Sequence, residues 1–202
     1  MSLEVWLAFC LMDTVLCLTP GPAVLFVVSV ALARGLRPGM AAALGILATN
    51  TLYFALSATG IAAVIVASAT LFGVLKAVGA AYLVWIGLRM LLARGNGHES
   101  SDPRADHRAF LRGIIVQGSN PKALIFFVAL VPQFIDPAGP VVPQVAILGV
   151  SGVVIELVVL SLYVALAVRA RRLAGARFAR PLERVGGACL LAAGARLALA
   201  HR

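Results

Sequence analysis

The chain has 202 residues, of which 61% are hydrophobic and 12% are charged, and its mean hydropathy is +1.00. Soluble domains carry roughly 25% charged residues, so this composition excludes a soluble globular domain and indicates a single integral membrane domain over residues 1–202. A net charge of +9 also suits a nucleic-acid-binding protein, but here the arginines fall between apolar runs, as basic loops at a membrane surface do. We therefore expect the lipid bilayer as a partner and no nucleic acid.

Apolar runs predict six membrane spans, because a crossing helix needs about 20 such residues. The sixth span is the least apolar, since it includes Arg196, whose long side chain can reach the interface. Turns are predicted at ASATLFG (67–73) and at DPAGP (136–140), and a polar loop at 94–108. The predicted spans are 3–33, 39–66, 73–92, 109–135, 141–168 and 182–200.

The basic residues predict the orientation of these spans. Most of the 17 Lys and Arg residues fall in the first, third and fifth connections, at 34–37, 89–112 and 169–184. Cytoplasmic loops carry an excess of Lys and Arg. The loop at 94–108 is therefore predicted in the cytoplasm, with both chain termini on the outer side of the membrane.

Two of the predicted spans are interrupted by proline near their centres. Pro20 and Pro22 flank a glycine in the first span, and Pro121 follows an asparagine in the fourth. A proline inside a helix costs about 3 kcal/mol. The chain thus divides into two three-span halves, about 1–93 and 109–202, each led by a broken helix. Because each half has an odd number of spans, the second half enters the membrane from the opposite side. This is the pattern of an inverted-repeat transporter.

These interruptions predict a substrate site. Half-helix N-termini attract a carboxylate and C-terminal ends attract a cation, and an amino acid has both charges. The alternative is that the prolines only kink their helices, and that polar groups such as the Asn50 and Asn120 amides join neighbouring helices. The candidate substrate-binding residues are Thr19, Pro20, Gly21, Pro22, Asn50, Asn120, Pro121 and Lys122.

Three charged residues lie well away from the ends of the predicted spans. Asp13, Lys122 and Glu156 each cost about 2.5–3.5 kcal/mol at the bilayer centre, so each is a functional candidate. Burial favours the protonated form of a carboxylic acid, which suits a group that takes up and releases a proton. Glu156 is the deeper candidate for proton coupling, and Asp13 is the second. The alternative is a structural ion pair between Lys122 and either carboxylate.

Four segments of the chain resemble the LysE/RhtB family of amino-acid exporters. They are LTPGPAVLFV (18–27), LKAVGAAYLVWIGLRML (75–91), FLRGIIVQGSNPKALIFFVALVPQFIDP (110–137) and the C-terminal ACLLAAGARLALAHR (188–202). The last of these and the opening LEVWLAF lean toward the branch that exports homoserine, homoserine lactone and threonine. The resemblance implies a bacterial inner-membrane exporter of amino acids or derivatives, of the homoserine, threonine or lysine type, driven by proton antiport. Both termini would then be periplasmic.

The sequence departs from this family at three positions. Many members have asparagine where this chain has Ala23, asparagine where it has Gln117, and aspartate where it has Glu156. The first two differences change the polar lining of the expected site, so the general mechanism is better supported than the substrate.

Other functions are less consistent with the sequence. An exporter of divalent cations or another small solute is the main alternative, although such carriers usually cluster carboxylates. No His or Cys has metal-ligand spacing, and no nucleophile–base pair suggests an enzyme. We expect no metal and no cofactor. A structural membrane subunit would gain nothing from two broken helices. The sequence leaves the oligomeric state open, with a homo-oligomer among the alternatives.

Overall fold

The computed structural model describes residues 1–59 and 103–199, with a few isolated positions between 77 and 91. The described residues are helical and form no strand. After α5 the chain continues as a π-helical turn (Phe126–Leu130) and a 3₁₀ turn (Val131–Phe134). The α-helices are α1 (Leu3–Leu18), α2 (Pro22–Arg34), α3 (Leu36–Ala58), α4 (Pro103–Gly118), α5 (Pro121–Ile125) and α6 (Val141–Leu199).

The first break separates α1 from α2, which are bent by 52° relative to each other. Helix α1 ends at Thr19, whose N–H donates to the carbonyls of Val15 and Leu16. Pro20 has no N–H and so cannot extend the ladder, while Pro22 occupies the first turn of α2, where a missing N–H has no cost. The interruption predicted from the two prolines is confirmed.

The second break separates α4 from the segment Pro121–Phe134, with a bend of 54°. Asn120 is the N-cap of α5, and its side chain accepts a hydrogen bond from the backbone N–H of Lys122 at 3.1 Å. Pro121 again occupies the first turn. This break is also confirmed at its predicted position, and it is followed by the π-helical and 3₁₀ turns, which lengthen the irregular region.

Helices α3 and α4 meet backbone to backbone at two glycines. A Cβ atom on Gly45 would lie 2.1 Å from the carbonyl oxygen of Phe110, and one on Gly113 would lie 2.3 Å from the carbonyl oxygen of Ala42. Neither position can accept a side chain without moving a helix. This close contact holds the first half of the chain against the second.

The distribution of polar and apolar residues suits a membrane. Exposed apolar side chains recur along α1 and α6, among them Leu7, Leu11 and Val15 on α1. Polar side chains are buried instead, including Asp13, Asn50, Gln117 and Asn120. Two apolar clusters fill the interior, one around Phe26 and Ile46 and the other around Phe9 and Leu148.

Two of the described helices are long and apolar enough to cross a membrane, at Leu36–Ala58 and Val141–Leu173. Each bent pair of helices adds one more if it is counted as a broken span, which gives up to four. The predicted spans 3–33, 39–66, 109–135 and 141–168 correspond to these elements as far as they are described. The turn at 67–73, most of the loop at 94–108 and, apart from the isolated positions between 77 and 91, the third predicted span (73–92) lie outside the described residues.

The structure differs from the sequence-based expectation at two places. Helix α4 begins at Pro103, six residues before the predicted start at 109, because a proline in the first turn and the following polar residues extend the helix beyond its apolar part. Helix α6 continues through 169–181, where a connection between spans five and six is expected. This stretch is rich in Ala and Arg, which are strong helix formers, and Pro181 does not end the helix.

The predicted turn at 136–140 is confirmed. The side chain of Asp136 accepts a hydrogen bond from Ala138 N–H at 2.9 Å, and its carbonyl accepts one from Gly139 N–H at 3.2 Å. The buried Gln144 side chain closes the turn by bonding the backbone N–H and carbonyl of Asp136.

Candidate functional site

A cavity of about 640 Å³ lies between the two breaks. This volume is within the range of small-molecule binding pockets, about 300–1,000 Å³. Helices from both ends of the chain contribute to it, and the α2 N-terminus reaches it at Gly21, Ala23 and Val24. Its polar and charged side chains are Asp13, Cys17, Asn50, Gln117, Asn120, Lys122 and Glu156.

A chain of hydrogen-bonded amides connects the second break to Glu156. The backbone N–H of Lys122 donates to Asn120 Oδ1 at 3.1 Å, and Asn120 Nδ2 donates to Gln117 Oε1 at 3.0 Å. Gln117 Nε2 donates to Asn50 Oδ1 at 2.7 Å, and Asn50 Nδ2 donates to Glu156 Oε2. Because a backbone N–H can only donate, the first link fixes the direction of all the others. Asn50 therefore presents its amide hydrogens to the carboxyl group.

Lys122 links the second break to the first. Its Nζ donates to the carbonyl oxygens of Leu16 at 2.6 Å and Thr19 at 2.8 Å. These carbonyls belong to the C-terminal turn of α1, where the helix dipole favours a cation. The lysine ammonium has three protons, so one remains for another acceptor. The structural alternative requires an ion pair between Lys122 and either Asp13 or Glu156. Among the described residues, no such ion pair is present.

Asp13 is buried on the cavity wall with little to satisfy its charge. The residue is 5% exposed. The thiol of Cys17 donates to Oδ1 at 3.9 Å, and Oδ2 has no hydrogen-bond partner in the part of the chain that the structure describes.

Two tyrosines brace the breaks from opposite halves of the chain. The Tyr163 hydroxyl on α6 donates to the carbonyl of Leu18 at 2.9 Å, at the end of α1. The Tyr53 hydroxyl on α3 donates to the carbonyl of Gly118 at 2.8 Å, at the end of α4. Each break therefore has a carbonyl bound by a phenol from the other half.

Aromatic and aliphatic side chains form the rest of the wall. Phe54 and Phe127 meet edge to face with ring centroids 4.7 Å apart, and Phe126 contacts Phe127 in the same manner at 5.0 Å. Leu16, Leu130 and further aliphatic residues complete this apolar surface.

Most of the predicted site residues share this cavity: Asp13, Gly21, Asn50, Asn120, Pro121, Lys122 and Glu156 line it. Thr19 contributes through its carbonyl bond to Lys122, while Pro20 and Pro22 shape the break without appearing in the wall. Gln117 was expected in the polar lining of the site but was not among the candidate substrate-binding residues. The signal was available, because Gln117 is an amide in an apolar run three residues before Asn120.

No three His, Cys, Asp or Glu side chains come together as a metal-binding group in the part of the chain that the structure describes. The cavity wall instead combines two carboxylates, one ammonium group and a row of amides.

Comparison with known proteins identifies the family of the chain. The chain matches the family model "LysE type translocator" over residues 14–201. It is 34% identical to the homoserine/homoserine lactone efflux protein of Salmonella typhimurium over 204 aligned positions, which cover 100% of this chain and 99% of the relative. It is 35% identical to an uncharacterized membrane protein of Vibrio cholerae, covering 85% of each.

A leucine efflux protein of Enterobacter is 33% identical over 122 residues, which cover 59% of this chain and 58% of that protein. No solved structure shows significant similarity to the chain. The family model covers nearly the whole length and includes both breaks and every charged residue of the cavity except Asp13. The chain is therefore a membrane transport protein, not an enzyme, and belongs to the LysE family of amino-acid exporters.

Proposed function

We propose that the protein exports an amino acid or amino-acid derivative across the bacterial inner membrane in exchange for protons. The observation that supports this most is the cavity between two broken helices, with charges of both signs on its wall. Irregular backbone at membrane depth is tolerated only where protein covers it or where it lines a cavity, and transporters place their substrate sites at such positions.

The substrate carboxylate binds between Lys122 and the N-terminus of α2. Helix α2 has no side-chain cap at Gly21, so its first N–H groups remain available to an anion. A Cβ atom built on Gly21 would lie 4.0 Å from Lys122 Nζ, which places the ammonium group beside this helix end. The third proton of Lys122 then completes a site with a cation and backbone donors.

Glu156 carries the proton. It lines the cavity, and Asn50 is its hydrogen-bond partner on α3. The amide chain behind Asn50 ends at the N-terminus of α5, so a change at the carboxyl group has a hydrogen-bonded route to the second break. Asp13 is the second acidic residue among the described residues that line the cavity. It is the next candidate proton carrier to test if Glu156→Gln keeps the pH dependence of export.

We also propose that the halves 1–93 and 109–202 are inverted repeats. Support comes from the similar bends of 52° and 54° in corresponding elements, and from Tyr53 and Tyr163, each of which bonds the break of the other half. The repeat requires a reversal between spans five and six, whereas α6 is continuous there. A six-span topology therefore needs an independent test.

Reporter fusions supply that test. A reporter at His98 should be cytoplasmic and one at the C-terminus periplasmic, as the arginine distribution predicts. A cytoplasmic C-terminus would contradict the six-span repeat and agree with a last helix that does not cross the membrane a second time.

The export function is tested with purified protein in proteoliposomes, with an imposed pH gradient and labelled homoserine and leucine as substrates. Wild-type protein should move substrate against its gradient only when the pH gradient is present. Glu156→Gln should retain exchange of substrate but lose pH-driven accumulation. The exposed residue Glu4, which is not among the residues that line the cavity, supplies the matched control Glu4→Gln, which should behave as wild type. Unchanged pH dependence in Glu156→Gln would contradict the coupling role.

A further inference from the structure

The carboxylate of Asp13 lacks a partner that its charge requires. Asp13 is 5% exposed, and its Oδ2 has no hydrogen-bond partner among the described residues. The thiol near Oδ1 is a weak donor at 3.9 Å. Burying an unpaired charge is costly. Lys122 is the cation of the cavity wall that could neutralise the Asp13 carboxylate, but its Nζ binds the carbonyls of Leu16 and Thr19 instead. The unpartnered group belongs to the cavity wall, so a ligand in the cavity can supply what is missing.

The chemistry of that ligand group follows from the carboxylate. A buried acceptor oxygen needs an N–H or O–H donor, and a positively charged donor also neutralises the carboxylate. A ligand already held by its carboxylate at Lys122 presents a protonated amine as its second charged group. Asp13 thus offers, on the same cavity wall as Lys122, an acceptor for the amine of a zwitterion.

The remaining wall restricts the ligand's side chain. The side chains of Phe54, Phe126, Phe127 and Leu130 offer no hydrogen-bond acceptor. Among the described residues that line the cavity, Asp13 and Glu156 are the only acidic ones. A second positive charge on the ligand, such as the side-chain ammonium of lysine, would therefore find only Glu156 as a carboxylate partner. In the proposed transport cycle, Glu156 is already used to bind the transported proton. An uncharged apolar side chain fits this surface without an unsatisfied group.

We propose that Asp13 binds the ammonium group of the substrate, and that the substrate class is amino compounds with a free protonated amine and an uncharged aliphatic side chain. This inference rests on the proposed export function and adds a ligand group and a selectivity to it. It also assigns different roles to the two carboxylates: Glu156 carries the proton, and Asp13 binds the substrate.

Binding of a ligand series to the unmodified protein in lipid nanodiscs tests the proposal by calorimetry. Leucine should bind, while 4-methylpentanoate, which lacks the amine, and N-acetylleucine, whose amine is uncharged, should bind at least about tenfold more weakly, as expected for losing one hydrogen bond to a charged group. Lysine should bind more weakly than leucine by a similar factor. Equal affinity for leucine and 4-methylpentanoate, or a preference for lysine, would overturn the inference.

Two variants examine the position itself. Asp13→Asn should reduce leucine affinity by at least about tenfold while leaving the already weak binding of 4-methylpentanoate unchanged. Gly152→Ala should weaken leucine binding as well, because its Cβ would lie 3.5 Å from Asp13 Oδ2 and 3.0 Å from Phe54 Cζ. The exposed turn residue Asp136 provides the matched control Asp136→Asn, which should bind leucine normally. Wild-type affinity in a folded Asp13→Asn protein would overturn the proposal.

The outcomes distinguish this inference from the export function. If lysine binds and is exported by wild-type protein in preference to leucine, the selectivity is wrong while the exporter stands. If neither these ligands nor homoserine binds or is transported, both proposals fail. If Asp13→Asn keeps its affinity and loses the pH dependence of export, Asp13 is a proton carrier and the assignment to the ammonium group is wrong.

Discussion

The two helix breaks are built from the same kind of residue and are stabilised in different ways. At the first break, the carbonyls at the end of α1 are bound by Lys122 and Tyr163, which come from the distant second half of the chain. At the second, the start of α5 is capped by the adjacent Asn120, and the end of α4 is bound by Tyr53. The first break thus depends on tertiary contacts at its carbonyl end, whereas the second has a local cap.

This difference shows how similar interruptions can serve separate tasks. The N-terminus of α2 is left without a side-chain cap and faces the cavity, so it remains available to a substrate anion. The N-terminus of α5 is used internally, because its Lys122 N–H begins the amide chain to Glu156. On the proposed function, the first break binds substrate and the second break responds to the proton.

Straightening the first break is expected to have the largest effect. The double variant Pro20→Ala/Pro22→Ala restores N–H groups that can bond the carbonyls of the preceding turn. Export in proteoliposomes should be abolished, while membrane insertion, measured by fractionation, stays intact. Pro143 lies in the exposed first turn of α6, and Pro143→Ala should export normally. Full export by the double variant would show that the break is only a kink.

Removing the cation that joins the breaks should have the next largest effect. Lys122→Ala leaves the carbonyls of Leu16 and Thr19 without their charged donor, and each such bond is worth about 1.5–3 kcal/mol. We expect a lower thermal unfolding temperature and a loss of substrate binding. Lys122→Arg keeps the charge and should recover stability more fully than binding. Wild-type binding by Lys122→Ala would contradict the proposed carboxylate site.

The local cap of the second break can be separated from the amide chain. Asn120→Ala should lower stability by about 1 kcal/mol through loss of the N-cap and should slow pH-driven export, because Gln117 loses its donor. Asn120→Ser restores a capping oxygen but is too short to reach Gln117 in the same way. Stability should therefore return in Asn120→Ser while export stays slow. Equal recovery of both would indicate that only the cap matters.

The two tyrosine braces should give the smallest effects, and unequal ones. Tyr53→Phe removes the hydrogen bond that the Tyr53 hydroxyl donates to the carbonyl oxygen of Gly118. Such a bond is worth about 1 kcal/mol. Tyr163→Phe should cost less, because its bond to Leu18 is exposed and Lys122 still holds neighbouring carbonyls of the same turn. Unfolding temperatures of the two variants provide the comparison. A greater loss in Tyr163→Phe would show that the first break relies on the phenol rather than the lysine.

The sequence predicted the elements whose cause is local. Pro20, Pro22 and Pro121 lack an N–H wherever they are placed, so the positions of both breaks follow from the residues alone. The Asp136 turn follows from Asp-Pro and Gly-Pro pairs in the same way. Several site residues could also be named, because charged and amide side chains are conspicuous in apolar runs and are costly there.

The sequence by itself determined that this chain lies in a membrane, that two of its helices are broken and which charged groups lie within the spans. Only the tertiary structure decided their partners. Lys122 binds backbone carbonyls more than 100 residues away rather than a carboxylate, and a carbonyl is common to every residue and leaves no mark in the sequence. The continuity of α6 through 169–181 was likewise hidden, because good helix formers there favour a helix as readily as the arginines suggest a loop. The unpartnered oxygen of Asp13 became visible only when all its neighbours were in place.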